Sequence, residues 1–210
     1  MYIPHAFQET DRPTLLQFVR DNSFALLVTT GYDGIPVATH LPIELLADTD
    51  GQFQLVGHLA KANPQWKLLG QNRPALAVFS GPHSYISSSW YDHVNVPTWN
   101  YLSVQITGRT TMLTDGETLD FLRQQVDRYE AHSAHPVSVE SMTVDYVRKQ
   151  MSGVVAFRMT IDTMQGAAKL SQNRDDKNYQ SIIAELRQTG NADAEKMANV
   201  MATRRPTIDK

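Results

Sequence analysis

The stretch FSGPHSYISSSWYDHVNVPTWNY, residues 79–101, decides how the rest of the chain is read. It sets Tyr85, Trp90, Tyr91, Trp99 and Tyr101 among His83, His93, serines, Thr98 and Asn100, with Pro82 and Pro97 as stiff corners. A core strand would bury those hydroxyls and imidazoles at a cost, and a disordered linker would carry few aromatics. Rings beside short polar groups suit a flat, polar ligand, because the rings supply area and the hydroxyls or amides fix orientation. An ordered loop pinned by its own aromatics has the same composition, so this segment alone leaves both readings open.

Working outward, the flanks read as strands. Pro74–Ser80 is short and apolar, and Leu102–Leu113 alternates, with a bend expected at Gly108. Upstream, Phe24–Thr30 and Pro36–Ile43 form a hairpin across the turn Gly31-Tyr32-Asp33-Gly34. The turn Asp48–Gly51 then leads to a third strand over Gln52–His58. Asn63 and Pro64 are a good cap and first residue for a helix through Trp66, Leu68 and Leu69. Five or six strands thus precede any long helix, and Gly153–Thr163 returns to strand pattern, which implies a mixed domain with a closing strand.

Helices are expected at the edges. Asp11 or Thr10 caps a short one with Leu15, Leu16, Phe18 and Val19 inward. Thr114-Asp115-Gly116-Glu117 is a capping box ahead of a face made by Leu119, Leu122, Val126 and Tyr129. Val139–Lys149 is a second helix with Met142, Tyr146 and Val147 inward. Two further amphipathic helices come after Asp175 and Asn191. The expected organisation is one main domain over residues 1–174, with a helical extension over 175–210 packed on it or on a partner subunit.

The chain of 210 residues carries 19 basic and 22 acidic side chains, so its net charge of -3 supplies no global attraction to nucleic acid or anionic membrane. It has no cysteine, which excludes disulfides, thiolate catalysis and cysteine-based metal sites. The start, MYIPHAFQETDRP, lacks the pattern of a signal peptide, and no stretch has the length of a membrane span, so a cytoplasmic location is expected. His132 and His135 fall in a segment read as a loop, and no metal site is assigned. Neither a GxSxG elbow nor the common Gly-rich nucleotide loops occur.

Four dispersed features remain. Thr39 and His40 are polar residues in a strand, where a lone histidine is more often structural; Lys61, Asn63 and His58 surround a helix start that is either an anion site or a solvated lysine beside a plain cap. The third feature is the aromatic stretch, and the fourth is KLSQNR, residues 169–174, which is either an anion or polyol site or a solvated connector. A ligand with a phosphate, a hydroxylated chain and a flat heteroaromatic ring would use all four, and FMN has those parts.

MYIPHAF, GHLAKANPQW, FSGPHSYISSSWY, VPTWNY and KLSQNR, in this order, resemble the PaiB-type family of FMN-binding negative transcriptional regulators. The resemblance implies an α+β, mainly β, split β-barrel of FMN-binding type with peripheral and C-terminal helices, similar to the pyridoxamine-phosphate oxidase fold. It also implies a homodimer with FMN at the subunit interface. By the same resemblance Lys61 holds the phosphate, assisted by His58 and the amides near Asn63, and Thr39 and His40 lie along the ring. Trp99, Asn100 and Ser103 approach the flavin, with Tyr85 and Ser87 beside them, and Lys169, Gln172 and Arg174 close the site. The oxidases' arginine-rich strand is missing, so their activity is not expected, and Ser88 stands where the family commonly has proline.

These features admit three functions: an FMN flavoprotein with a redox or regulatory role, which includes an FMN-dependent oxidoreductase; a repressor contacting DNA directly through Arg187, Arg204 and Arg205; and a split barrel holding haem or a deazaflavin. No residue is nominated as catalytic.

Overall fold

The computed structural model describes residues 1–48, 50–70 and 72–205; Thr49 of the expected Asp48–Gly51 turn and the last five residues of the expected extension lie outside them. The strands are β1 (Gln8–Glu9), β2 (Phe24–Thr30), β3 (Pro36–Ala47), β4 (Phe53–Ala60), β5 (Pro74–Ile86), β6 (Thr98–Met112), β7 (Val154–Met159) and β8 (Thr163–Lys169). The helices are α1 (Arg12–Asp21), α2 (Asp115–Glu130), α3 (Val144–Met151), α4 (Asp176–Gln188) and α5 (Ala192–Thr203). The chain divides into two compact units, and β5 and β6 contribute to each.

One unit comprises Ser23–Val78 and Ile106–Thr163. Its hairpin forms as the turn signal requires, with β2 antiparallel to β3 and Leu27 opposite Thr39. Gly34 takes φ +82 at the tip, where a side chain would be strained. β4 pairs with β3 and β7, and Thr110 and Met112 of β6 pair with β7. The strand order β6-β5-β2-β3-β4-β7 therefore returns to its starting strand, the closure that defines a barrel. Leu27, Ile43, Leu55, Leu59, Phe157 and Met159 fill its interior. Gly108 allows close approach rather than a mere bend: a Cβ there would lie 1.8 Å from the Thr160 carbonyl oxygen.

Outside this sheet, the Thr114 capping box starts α2 as expected. The buried face of α2 is Thr118 and Phe121, the latter against Val56 and Ala156, whereas Tyr129 is exposed. The expected second helix is shorter, beginning at Val144 after a separate 3-10 turn at Val139–Ser141, and its Tyr146 is exposed rather than inward.

The other unit comprises Met1–Asn22, Phe79–Gln105 and the chain from Met164 onward. Asp11 caps α1 by accepting from Thr14 N, and Leu15, Leu16 and Val19 are buried. β1 pairs with β8 through Gln8 opposite Ala167, and the strand order is β1-β8-β6-β5. Tyr179, Ile182, Ile183 and Leu186 of α4 and Met197 and Met201 of α5 join Ile86, Leu102 and Leu170 in one core. The strand expected over Gly153–Thr163 is β7, which stops at Met159 because Thr160 and Asp162 turn the chain, Thr160 Oγ1 donating to Asp162 Oδ1 at 2.8 Å; β8 follows as a strand the sequence pattern did not mark.

Candidate functional site

In the barrel unit the Lys61–Trp66 turn is held from both ends. Lys61 N donates to Gly153 O at 2.8 Å, and Trp66 Nε1 donates to Lys61 O at 3.0 Å. Asn63 caps as expected, accepting from Gln65 N at 3.0 Å, but the element it caps is a five-residue 3-10 turn, Pro64–Leu68, rather than a helix. So short a turn has little dipole, and any anion here depends on the Lys61 ammonium and nearby amides. Lys61 is exposed.

Gln65, to which the sequence pattern assigns no role, organises this corner. Its amide is almost fully buried and donates to Leu27 O at 3.2 Å, Thr29 Oγ1 at 3.1 Å and Val37 O at 3.1 Å. Its oxygen accepts from Thr39 Oγ1 at 2.5 Å, and Thr39 Oγ1 in turn accepts from Asn63 Nδ2 at 2.9 Å. The hydroxyl of Thr39 is thereby committed to the scaffold.

Thr39 and His40 do not act together. Successive side chains of a strand point to opposite faces. Thr39 pairs with fully buried Leu27, while His40 is exposed on the other face and stacks on Phe24 with ring centroids 5.9 Å apart. His58 packs edge-on against Phe121 at 6.1 Å, its Nδ1 is buried without a partner, and burial pushes its pKa down.

In the other unit, His83 and Tyr85 on β5 and Trp99 on β6 form an open aromatic platform. Ring centroids are 6.2 Å apart for His83 and Trp99, and 5.9 Å for Tyr85 and Trp99. Trp99 and Tyr85 are 52% and 45% exposed, which leaves faces free for a flat ligand. Ser87 caps the short turn at Ser88–Trp90, accepting from Ser89 N at 3.2 Å, and Ser103 Oγ donates to Phe79 O at 3.1 Å.

The KLSQNR turn is mostly built inward. Asn100, fully buried, accepts from Ser171 Oγ at 3.0 Å, and Ser171 holds a positive φ of 56. Gln172 donates to Ala6 O at 2.8 Å and Ala168 O at 2.7 Å and accepts from Leu170 N at 2.8 Å. These two amides secure the loop and offer no free group outward. Lys169 Nζ donates to Thr98 Oγ1 at 2.5 Å and lies 5.7 Å from the centre of the Phe7 ring; burial, and then Arg174, lower its pKa. Arg174 lies over Tyr91 at 5.2 Å.

Two of the three C-terminal arginines, Arg204 and Arg205, are engaged within the chain. Arg204 pairs with Glu9, and Arg205 pairs with Asp176 and lies over the Tyr179 ring at 4.5 Å. Among the described residues no metal-holding cluster of His and acidic side chains occurs, and no helix is long and apolar enough to cross a membrane.

A closed strand circuit with peripheral helices makes this an α+β split β-barrel protein, and solved structures share the fold. The FAD and heme binding protein from Mycobacterium smegmatis matches with TM-score 0.59 at 20% identity, over 77% of this chain and 73% of that one. The flavocytochrome Anf3 from Azotobacter vinelandii matches with TM-score 0.56 at 17% identity, over 83% and 75%. Residues 1–163 match the family model described as "Putative FMN-binding domain", and the chain belongs to that family. It is also 39% identical over 201 residues to "Protease synthase and sporulation protein PAI 2" of Bacillus subtilis (strain 168), covering 96% of each chain. The family and the cofactor expected from the motifs are both borne out, and the cofactor is FMN.

Proposed function

We propose that the protein is a homodimeric, cytoplasmic FMN flavoprotein with a redox or regulatory role, in which Lys61 of the barrel unit holds the phosphate. The match of residues 1–163 to the FMN-binding family carries this reading. In the barrel unit Lys61 is an exposed cation on a braced turn, which suits a phosphate; in the other unit, taken by itself, the Trp99 and Tyr85 rings stand open although each would be more stable covered. Lys169 and Arg174 add positive charge beside the aromatic platform's strands, and Asn100, Gln172, Thr39 and Gln65 hold backbone in place. When bound, FMN supplies one- and two-electron redox chemistry.

The dimer is supported by the face of β2 opposite the barrel interior. Phe24, Leu26 and Val28 stand there in register with Pro42, His40 and Ala38 of β3, and Val78 and Leu76 of β5 extend it. Phe24 is 66% exposed, and a contiguous apolar sheet face of this kind marks an interface. Direct DNA contact finds no support in Arg204 and Arg205, whose charges are matched by Glu9 and Asp176.

The test is a visible spectrum of the purified protein with FMN titration. Wild type takes up one FMN per chain, and Lys61→Ala weakens binding at least about tenfold, equivalent to about 1.4 kcal/mol. A colourless protein that takes up no added FMN overturns the reading. For the dimer, Phe24→Lys shifts the mass in light scattering to that of one chain; a wild-type monomer would refute it.

A further inference from the structure

The face of α2 that does not cover the sheet looks into a cavity of about 690 Å³ shared with α3 and the Val139–Ser141 turn. Leu119, Val139, Met142, Val144, Val147 and Met151 line it. That volume lies within the range of small-molecule sites, roughly 300–1,000 Å³. The helix α3 is otherwise unexplained: one of its sides carries Val144, Val147 and Met151, yet none of its residues is fully buried within the chain.

We propose that this cavity binds a small, uncharged, apolar molecule of two or three rings or a medium-length alkyl chain. The charges on its walls give no net attraction to an ionic ligand, because the cations Arg123 and Arg148 are balanced by the carboxylates Asp115 and Glu140. Arg123 pairs with Asp120 at 3.1 Å and Glu140 at 3.0 Å, and Arg148 pairs with Asp145 at 3.6 Å. Asp115 sits in the first turn of α2, where the helix end stabilises a carboxylate. A charged ligand gains no net attraction on entering, whereas an apolar one gains by covering the six hydrophobic side chains. None of the residues assigned to FMN lines the cavity, so this ligand is additional to the flavin.

The probe is N-phenyl-1-naphthylamine, neutral and fluorescent only in apolar surroundings, added to the full-length protein. It binds saturably at one per chain, and the methyl resonances of Met142 and Met151 shift while those of buried Met159 and Met201 do not. Gly116→Trp fills the site: Gly116 lines the cavity, and a Cβ there meets nothing within 4 Å, so the ring enters open space without displacing backbone. This variant binds the probe at least tenfold more weakly, with the flavin spectrum unchanged. Val147→Glu, at a partly buried lining position of α3, none of whose residues is fully buried, does the same and carries the test should the tryptophan variant fail to fold. Decanol displaces the probe and decanoate does so at least tenfold less well. No saturable binding, binding undiminished in the variants, shifts at other methionines instead, or equal competition by decanoate would each overturn the proposal.

Discussion

Replacing Gln65 by leucine tests whether one buried amide sets the corner of the barrel that bears Lys61. The side chain makes four hydrogen bonds: three donated by Nε2, at 3.1 to 3.2 Å, and one accepted from Thr39 at 2.5 Å. Its two N–H groups serve three acceptors, so one hydrogen is shared and the set counts as about three full bonds. At about 1 kcal/mol net for each, the loss is about 3 kcal/mol. Leucine is nearly the same size, which keeps a cavity term out of the difference. Urea unfolding followed by tryptophan fluorescence should therefore show a midpoint shift worth about 2–4 kcal/mol at unchanged slope. FMN affinity should fall with it, since Asn63 and Gln65 share the bonds that brace the Lys61 turn. Gln65→Glu should be worse at neutral pH than at acid pH, because an ionised carboxylate cannot donate to either the Leu27 or the Val37 carbonyl whereas a protonated one can donate to one of them. A leucine variant within about 0.5 kcal/mol of wild type would refute this account, since surface substitutions alone produce changes of that size.

Three other perturbations have equally definite outcomes. Arg128→Ala strands the carboxylate of Glu44, which is 3% exposed, and should cost about 2–3 kcal/mol, the low end for a buried pair because Arg128 is half exposed; adding Glu44→Gln should recover most of it in the same unfolding assay. His58 has its pKa lowered by burial, so the folded state resists the proton that the unfolded state accepts. Its stability contribution is full above the unfolded value of about 6.5 and is lost as pH falls towards the folded value; His58→Phe should flatten the drop in urea midpoint between about pH 7.5 and about pH 5.5. Finally, Asn100→Ala and Gln172→Ala should lower the melting temperature and FMN affinity together, whereas Lys61→Ala should lower affinity alone, as differential scanning calorimetry beside FMN titration will report.

Most of the fold was legible because it rests on local signals. The β2–β3 hairpin arises from an apolar run on each side of a Gly-Tyr-Asp-Gly turn, and α2 from its capping box. The misses have physical causes. β7 reads four residues too long, and β8 is missed, because Thr160-Ile161-Asp162 turns the chain by side-chain hydrogen bonds, without glycine or proline to mark it. The face of α2 was misplaced in part: Leu122 packs on the Val56, Phe121 and Ala156 cluster, but Leu119, an apolar residue, lines the cavity beside α3, and the small polar Thr118 takes a buried place. The opposite facing of Thr39 and His40 is available from strand period alone.

The site was harder to read because a polar residue in a short motif has two different uses, and composition does not separate them. In KLSQNR the glutamine and serine are buried and bonded to Ala6, Ala168, Leu170 and Asn100, so their polarity serves a turn that includes a left-handed Ser171. In GHLAKANPQW the glutamine does similar work for two strands, while the lysine three residues upstream of Pro64 is left in the open. A left-handed non-glycine residue costs of order 1–3 kcal/mol and persists only where its surroundings fix it, which Asn100 and Gln172 do from either side. The motifs that mark the family are therefore mixtures: buried amides that fix the backbone, and a few exposed cations and rings held by it. Burial is what tells the two apart, and burial depends on pairing between strands distant in sequence, which no single stretch of the chain encodes.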